Sequence, residues 1–417
     1  MRRATHRFHA ACLLGVSLAA GAGTLPVGPA AGDLPLSPFY RADGQLPARA
    51  GVLLRAEPLE IQQELSAAGQ GWRMLHTSED ARWQSGQVPV SGLLLLPRGE
   101  RPAGGWPVLA WAHGTLGISD RCAPSWTGLR ERDATYINRW LAAGHAVVLT
   151  DYQGLGGPGP HPYLNWRVEG RSVLDAVRAA LQLRPDDLAN RVMLAGQSQG
   201  SGAALGAARL AKAYAPDLVV RGVIATGLNS SFPDGPVSLP ERNSSNMFLS
   251  YAAGGLRDDG PAIDDIVNDK GRQLLEAARS GCTADVVKLA RRLRVASLAD
   301  AFAIPMEKLA ELRLPVTDMP VARIGMPVFV GTGLADATIL PERQYAAVSA
   351  LCAGGDGVTW QRYAGHGHDG TLHGSFEDSL AFATRALQGR SQPSACQRLE
   401  RPGPPEARRA DLPFNDD

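Results

Sequence analysis

Five short, unbroken apolar runs constrain this chain most. They are Pro107-Val108-Leu109-Ala110-Trp111-Ala112, His145 to Thr150, Arg191 to Ala195, Val219 to Ala225 and Pro327 to Val330. None alternates polar with apolar, as a strand wetted on one face would. Each reads as a strand covered on both faces. Helical patterns lie between them, at Asp133 to Ala143, Ser172 to Leu183 and Ser201 to Tyr214. Strand and helix in alternation imply an α/β fold, with a mostly parallel central sheet and helices on both faces. Earlier, Trp72 to Thr77 alternates like a half-buried strand, and Val88 to Leu96 reads as another, ended by Pro97.

The alternation stops after Thr226. Residues 229–323 are polar turns with helical pieces, clearest at Ile263 to Ala278 and Asp285 to Leu293. This stretch reads as a helical lid inserted between two parts of the core, residues 71–228 and 324–390. The second part holds a helix over Gln344 to Leu351, a strand over Val358 to Tyr363 and a helix over Phe376 to Leu387. Residues 23–70 read as a leader, and residues 391–417 as an irregular Pro/Arg-rich tail. Residues 1–22 read as a signal peptide. Arg2, Arg3 and Arg7 precede a short apolar stretch from Ala10 to Ala20, and Ala20-Gly21-Ala22 offers a cleavage site, with Pro29-Ala30-Ala31 as a later alternative. No later run is long enough to span a bilayer.

A net charge of +1, without basic or acidic blocks, argues against a nucleic-acid partner. Cleavage would remove Cys12 and leave Cys122, Cys282, Cys352 and Cys396. An even number in an exported chain points to two disulfides, with three possible pairings. No Cys/His cluster suggests a metal, and no cofactor is implied.

The chemistry is carried by Gly196-Gln197-Ser198-Gln199-Gly200. With 47 glycines in 417 residues the pentapeptide alone is weak. Its setting is specific: an apolar strand ends at Ala195, and small residues from Ser201 begin a helix. Strand, sharp turn and helix make a nucleophile elbow, with Ser198 as nucleophile and the Gln199 N–H aimed at a developing oxyanion. The strand ending at Ala112 runs into His113-Gly114-Thr115, which offers the Thr115 N–H as second donor. His113 then shapes the loop. Asp336, just after the Pro327 to Val330 strand, can orient an imidazole at the same sheet edge. The next strand ends at Gly365-His366-Gly367-His368, and either histidine can be the base. Such a base titrates near neutrality and leaves activity low in acid. His76, His145, His161 and His373 read as structural.

Several segments together resemble the secretory lipase family of α/β-hydrolases. They are Trp111 to Gly117, Cys122-Ala123-Pro124-Ser125, Asp151 to Gly156 with His161-Pro162-Tyr163, the Ser198 pentapeptide, Asp336, and Tyr363-x-Gly365-x-x-His368. Ser201 departs from the pattern, standing where a further glycine is common. The resemblance implies ester hydrolysis through an acyl-enzyme, no cofactor, and a lid shaping the acyl pocket. It favours His368 over His366 and implies the pairings Cys122–Cys282 and Cys352–Cys396. The expected function is a secreted lipase or esterase acting on small-molecule or lipid esters. Apolar lid segments such as Met247-Phe248-Leu249 and Leu289 to Leu293 suit transient lipid contact or ordinary packing. A serine peptidase of the same fold and a catalytically silent binding protein are the alternatives.

Overall fold

The computed structural model describes residues 23–232, 263–305, 308 and 318–415. The signal-peptide segment and Met247-Phe248-Leu249 lie outside these residues. Nine strands form one sheet: β1 Leu53–Pro58, β2 Ala68–Glu79, β3 Gln87–Pro97, β4 Trp106–Ala112, β5 Ala146–Thr150, β6 Leu188–Gln197, β7 Val220–Thr226, β8 Val328–Gly333 and β9 Val358–Tyr363. Their order is β1-β2-β3-β5-β4-β6-β7-β8-β9. Strands β5, β4, β6, β7, β8 and β9 run parallel, and β1 to β3 join antiparallel at one side.

Alternate residues of each apolar run enter opposite cores. From β4, Val108 and Ala110 face one core while Leu109 and Trp111 face the other. In β6, Val192 and Leu194 oppose Met193 and Ala195; in β8, Val328 and Val330 oppose Phe329. The two-residue side-chain period of a strand thus yields continuous hydrophobicity when helices cover both faces. The first core is covered by α2 Trp166–Leu183, α3 Gln199–Tyr214 and α6 Pro341–Ala353. The second is covered by α1 Glu131–Ala142 and α7 Phe376–Leu387.

Several elements extend beyond their sequence patterns. Helix α2 begins at Trp166, where the Asn165 side chain accepts the Arg167 and Val168 N–H groups. The segment read as leader supplies β1 and buries Phe39 and Tyr40 against Leu75. Between β7 and β8 the insertion holds α4 Asp269–Ser280 and α5 Thr283–Arg292. It builds a separate apolar cluster from Leu274, Leu275, Val286 and Phe302, which Ile118 and Tyr163 join from the core loops; Leu289 and Leu293 pack against it.

Both disulfides are present with the pairing the family resemblance implies, Cys122–Cys282 and Cys352–Cys396. By restricting the unfolded chain, each contributes on the order of 3–5 kcal/mol. No helix among the described residues is long and apolar enough to cross a membrane.

Five histidines of the interior are held neutral by burial. Desolvation lowers His76 and His161 to about 3, and His113, His145 and His373 to about 4. Below pH 6.5 the unfolded chain takes up protons at these positions that the folded chain refuses, so acid favours unfolding. Burial also raises Asp175 to about 6, Asp120 to about 7 and Glu169 to about 8. These carboxyls keep protons the unfolded chain releases, so their contribution fades as pH rises. The melting temperature should rise from pH 4 to about 6, where the histidines outnumber the carboxyls, and decline toward pH 8. A melting temperature independent of pH over this range, measured by calorimetry, would contradict the assignment.

Candidate active site

The segment after β6 turns sharply into α3. Ser198 stands at the turn with φ 58° and ψ −122°, a conformation that costs a non-glycine residue strain. Its surroundings hold it there. The Ser198 N–H donates to Thr226 O at 3.1 Å, and Ser198 O accepts from the Ser201 N–H at 2.9 Å and the Ser201 hydroxyl at 2.6 Å. Both flanking glycines are sterically required. A Cβ at Gly196 would lie 2.0 Å from Gly200 O, and one at Gly200 would lie 1.9 Å from Ala112 O. Ser201, the departure from the family pattern, therefore braces the turn through its hydroxyl.

Asp336 follows β8 and is fully buried. Its Oδ1 accepts the N–H groups of Thr338 (2.9 Å) and Ile339 (2.8 Å). Its Oδ2 accepts from His368 Nδ1 at 2.8 Å and from the Gln344 amide at 2.9 Å. Four donors fix the carboxylate in one orientation. His368, rather than His366, is therefore the histidine joined to Asp336. His366 is turned away, with its Nδ1 donating to Ala364 O at 3.1 Å.

The imidazole of His368 reaches this place because residue 227 has no side chain. A Cβ on Gly227, which has φ 53°, would lie 2.8–2.9 Å from His368 Cε1 and Nδ1. Gly227 follows Thr226, the residue that holds the Ser198 backbone, so Ser198 and His368 each pack on adjoining residues at the C-terminal end of β7. The adjoining Asp369 pairs with Arg132, which also binds Asp133 at 2.7 Å.

Gln344 carried no sequence signal. It is buried, and besides Asp336 it donates to Ile339 O at 2.7 Å and accepts the Leu228 N–H at 3.2 Å. It ties the Asp336 loop to the residue after Gly227.

The two expected oxyanion donors lie at the start of α3 and in the loop after β4. Gln199 is the first residue of α3, where N–H groups have no partner within the helix. Its buried side chain donates to Glu169 Oε1 at 2.7 Å and to His161 Nε2 at 2.9 Å. His161 Nδ1 donates to Gln153 O at 2.9 Å, which leaves Nε2 as the acceptor. With His161 depressed by burial to about 3 and Glu169 raised by burial to about 8, their 3.8 Å approach is not an ion pair near neutral pH.

Thr115 is held by Tyr163, whose hydroxyl lies 2.7 Å from Thr115 Oγ1, and by Arg130, which donates to Thr115 O at 2.9 Å. His113 is buried, and desolvation lowers it to about 4. Its Nδ1 donates to Gly114 O at 2.7 Å, and its own carbonyl accepts the Tyr152 hydroxyl at 3.0 Å. The following residues meet the insertion: Thr283 N–H donates to Leu116 O at 2.8 Å, beside the Cys122–Cys282 bond. No group of His, Cys, Asp and Glu among the described residues is arranged to hold a metal.

The sheet order, the elbow at Ser198 and the helices on both faces define an α/β-hydrolase fold. The secretory lipase family model matches residues 122–392, and the chain belongs to that family. Candida antarctica lipase A in its closed state superposes with a TM-score of 0.67 at 20% identity, over 89% of each chain. A probable inactive lipase of Mycobacterium tuberculosis is 27% identical over 64% of this chain. A secreted triacylglycerol lipase of Malassezia globosa is 26% identical over 52% of it. The chain spans 63% and 48% of the lengths of these two curated relatives.

The buried Asp336–His368 bond gives a spectroscopic prediction. The His368 Nδ1 proton should appear as a strongly deshielded proton resonance. Asp336→Asn should abolish it, and Gly227→Ala, which drives a methyl into the ring, should shift or broaden it. An unchanged resonance in Gly227→Ala would show that the imidazole does not sit against residue 227.

Proposed function

We propose that this chain is an extracytoplasmic carboxylic-ester hydrolase, of lipase or esterase type, that forms an acyl-enzyme on Ser198. One juxtaposition carries the reading: a serine in a strained turn at the end of β6, held by Thr226 O, and a buried histidine packed on the adjoining Gly227 with its Nδ1 fixed on Asp336. His368 takes the Ser198 hydroxyl proton at Nε2 as the oxygen attacks the ester carbonyl. Asp336 holds the neutral tautomer beforehand and stabilises the imidazolium that forms. The backbone N–H groups of Gln199 and Thr115 receive the oxyanion, each worth about 3 kcal/mol of barrier. The imidazolium returns its proton to the leaving alkoxide, and water then releases the acid by the same steps in reverse.

Family membership supports ester chemistry over peptide hydrolysis, and the triacylglycerol lipase among the relatives supports acyl esters as the substrate class. Two disulfides and the N-terminal sequence pattern support action outside the cytoplasm. The insertion, tied to the Thr115 loop by Cys122–Cys282, is proposed as the lid that shapes the acyl pocket and makes transient lipid contact.

A serine-directed phosphonate separates the readings. It should label the wild type and leave Ser198→Ala unlabelled. Equal labelling of both would overturn Ser198 as nucleophile, and no labelling of either would support a silent binding protein. On p-nitrophenyl esters of increasing acyl length, activity should extend beyond butyrate. Activity confined to acetate and butyrate would remove the lipase reading and leave the esterase one.

A further inference from the structure

We propose that residues 404–415 act as a positioning clamp on the loop that carries His368, with Asn415 as its central residue; this rests on His368 serving as the base. The segment lies beyond the region matched by the family, which ends at residue 392. Most of it runs exposed over the surface, but Asn415 is buried, with 3% of its area accessible.

The Asn415 amide spends its donors and acceptor on its surroundings. Its Oδ1 accepts the Gly367 N–H at 2.6 Å, and its Nδ2 donates to Gly365 O at 2.9 Å and to Arg409 O at 2.6 Å. A Cβ on Gly370 would lie 2.1 Å from Asn415 Oδ1, so the docking site is shaped for this side chain. The grip is extended by its neighbours. Gly365 N–H donates to Glu406 Oε2 at 2.8 Å, Arg409 N–H donates to Gly365 O at 3.0 Å, and the Phe414 ring stacks on His373 at 4.4 Å. Glu406 N–H also donates to Leu334 O at 2.8 Å, two residues before Asp336.

The loop needs such support. Gly365-His366-Gly367-His368 places two glycines immediately before the imidazole, and glycine has the most backbone freedom to lose. The clamp bonds both glycines and touches the approach to Asp336. It thereby restricts the two segments whose relative placement sets the His368–Asp336 bond. An imidazole misplaced by about 1 Å can cost about 100-fold in rate while substrate binding is unaffected.

The test uses the full chain, a chain ending at Gly403, and Asn415→Ala. The shortened chain retains Cys396 and its disulfide. Active sites are counted by end-point phosphonate labelling, so that kcat is expressed per folded site. Both variants should lose about 10- to 100-fold in kcat, with KM within about twofold of the wild type and a weakened deshielded His368 proton. A synthetic peptide of residues 404–417 should restore kcat to the shortened chain. Wild-type kcat per labelled site in either variant would overturn the clamp, as would a loss confined to melting temperature. If the shortened chain does not fold, Asn415→Ala alone decides. Ser198→Ala run in parallel separates the two levels: hydrolysis surviving in it would overturn the proposed chemistry rather than the clamp.

Discussion

The geometry of the whole site hangs on one strained residue. Ser198 adopts a left-handed backbone conformation that costs on the order of 1–3 kcal/mol. It persists because the structure around it over-determines it. The end of β6 is fixed by β4 and β7 on either side, Gly200 presses on Ala112 O, and Thr226 O takes the Ser198 N–H. Those same contacts draw together the ends of β4, β6 and β7. The Thr115 loop, the Gln199 N–H and the Gly227 platform for His368 are all consequences of where these strands stop.

Electrostatics around the site follow a common logic of burial with satisfaction. Asp336 accepts four hydrogen bonds, whereas Glu169 accepts two and is pushed toward its neutral form by desolvation. The Gln199 side chain joins this second carboxyl to His161, whose depressed basicity keeps it an acceptor. Two buried acid–imidazole pairs are therefore joined in different ways. In one the imidazole Nδ1 bonds the carboxyl directly, and in the other the Gln199 amide bridges the two groups.

Much of the fold was legible because of how the sheet is covered. Strands buried on both faces must be apolar throughout, and this made β4 to β8 stand out. Strand β1 was not legible: it is a half-buried edge of Leu53-Leu54-Arg55-Ala56-Glu57-Pro58, with no run and no clean alternation. The start of α2 was hidden for a related reason, since Trp166, Val168, Glu169 and Gly170, with exposed Arg167 among them, mix aromatic, apolar, charged and small residues that tertiary contacts bury. At the candidate site, Ser198 and Asp336 were legible by position relative to strands, while His368 was favoured over His366 only by the family resemblance. Gln344, Gly227 and Asn415 were not legible. Their significance lies in contacts across 8, 141 and 48 residues, to Asp336, His368 and Gly367, and no local pattern encodes such contacts.

The Cys122–Cys282 bond has a topological consequence. It closes a covalent ring of chain whose two ends are 160 residues apart in sequence. Within that ring lie α1, β5, α2, β6, Ser198, α3, β7 and the first part of the insertion. A single protease cut anywhere between these two cysteines opens the ring but releases no fragment. The nicked chain keeps its mass until the disulfide is reduced, and both sides of the cut stay moored beside the Thr115 loop.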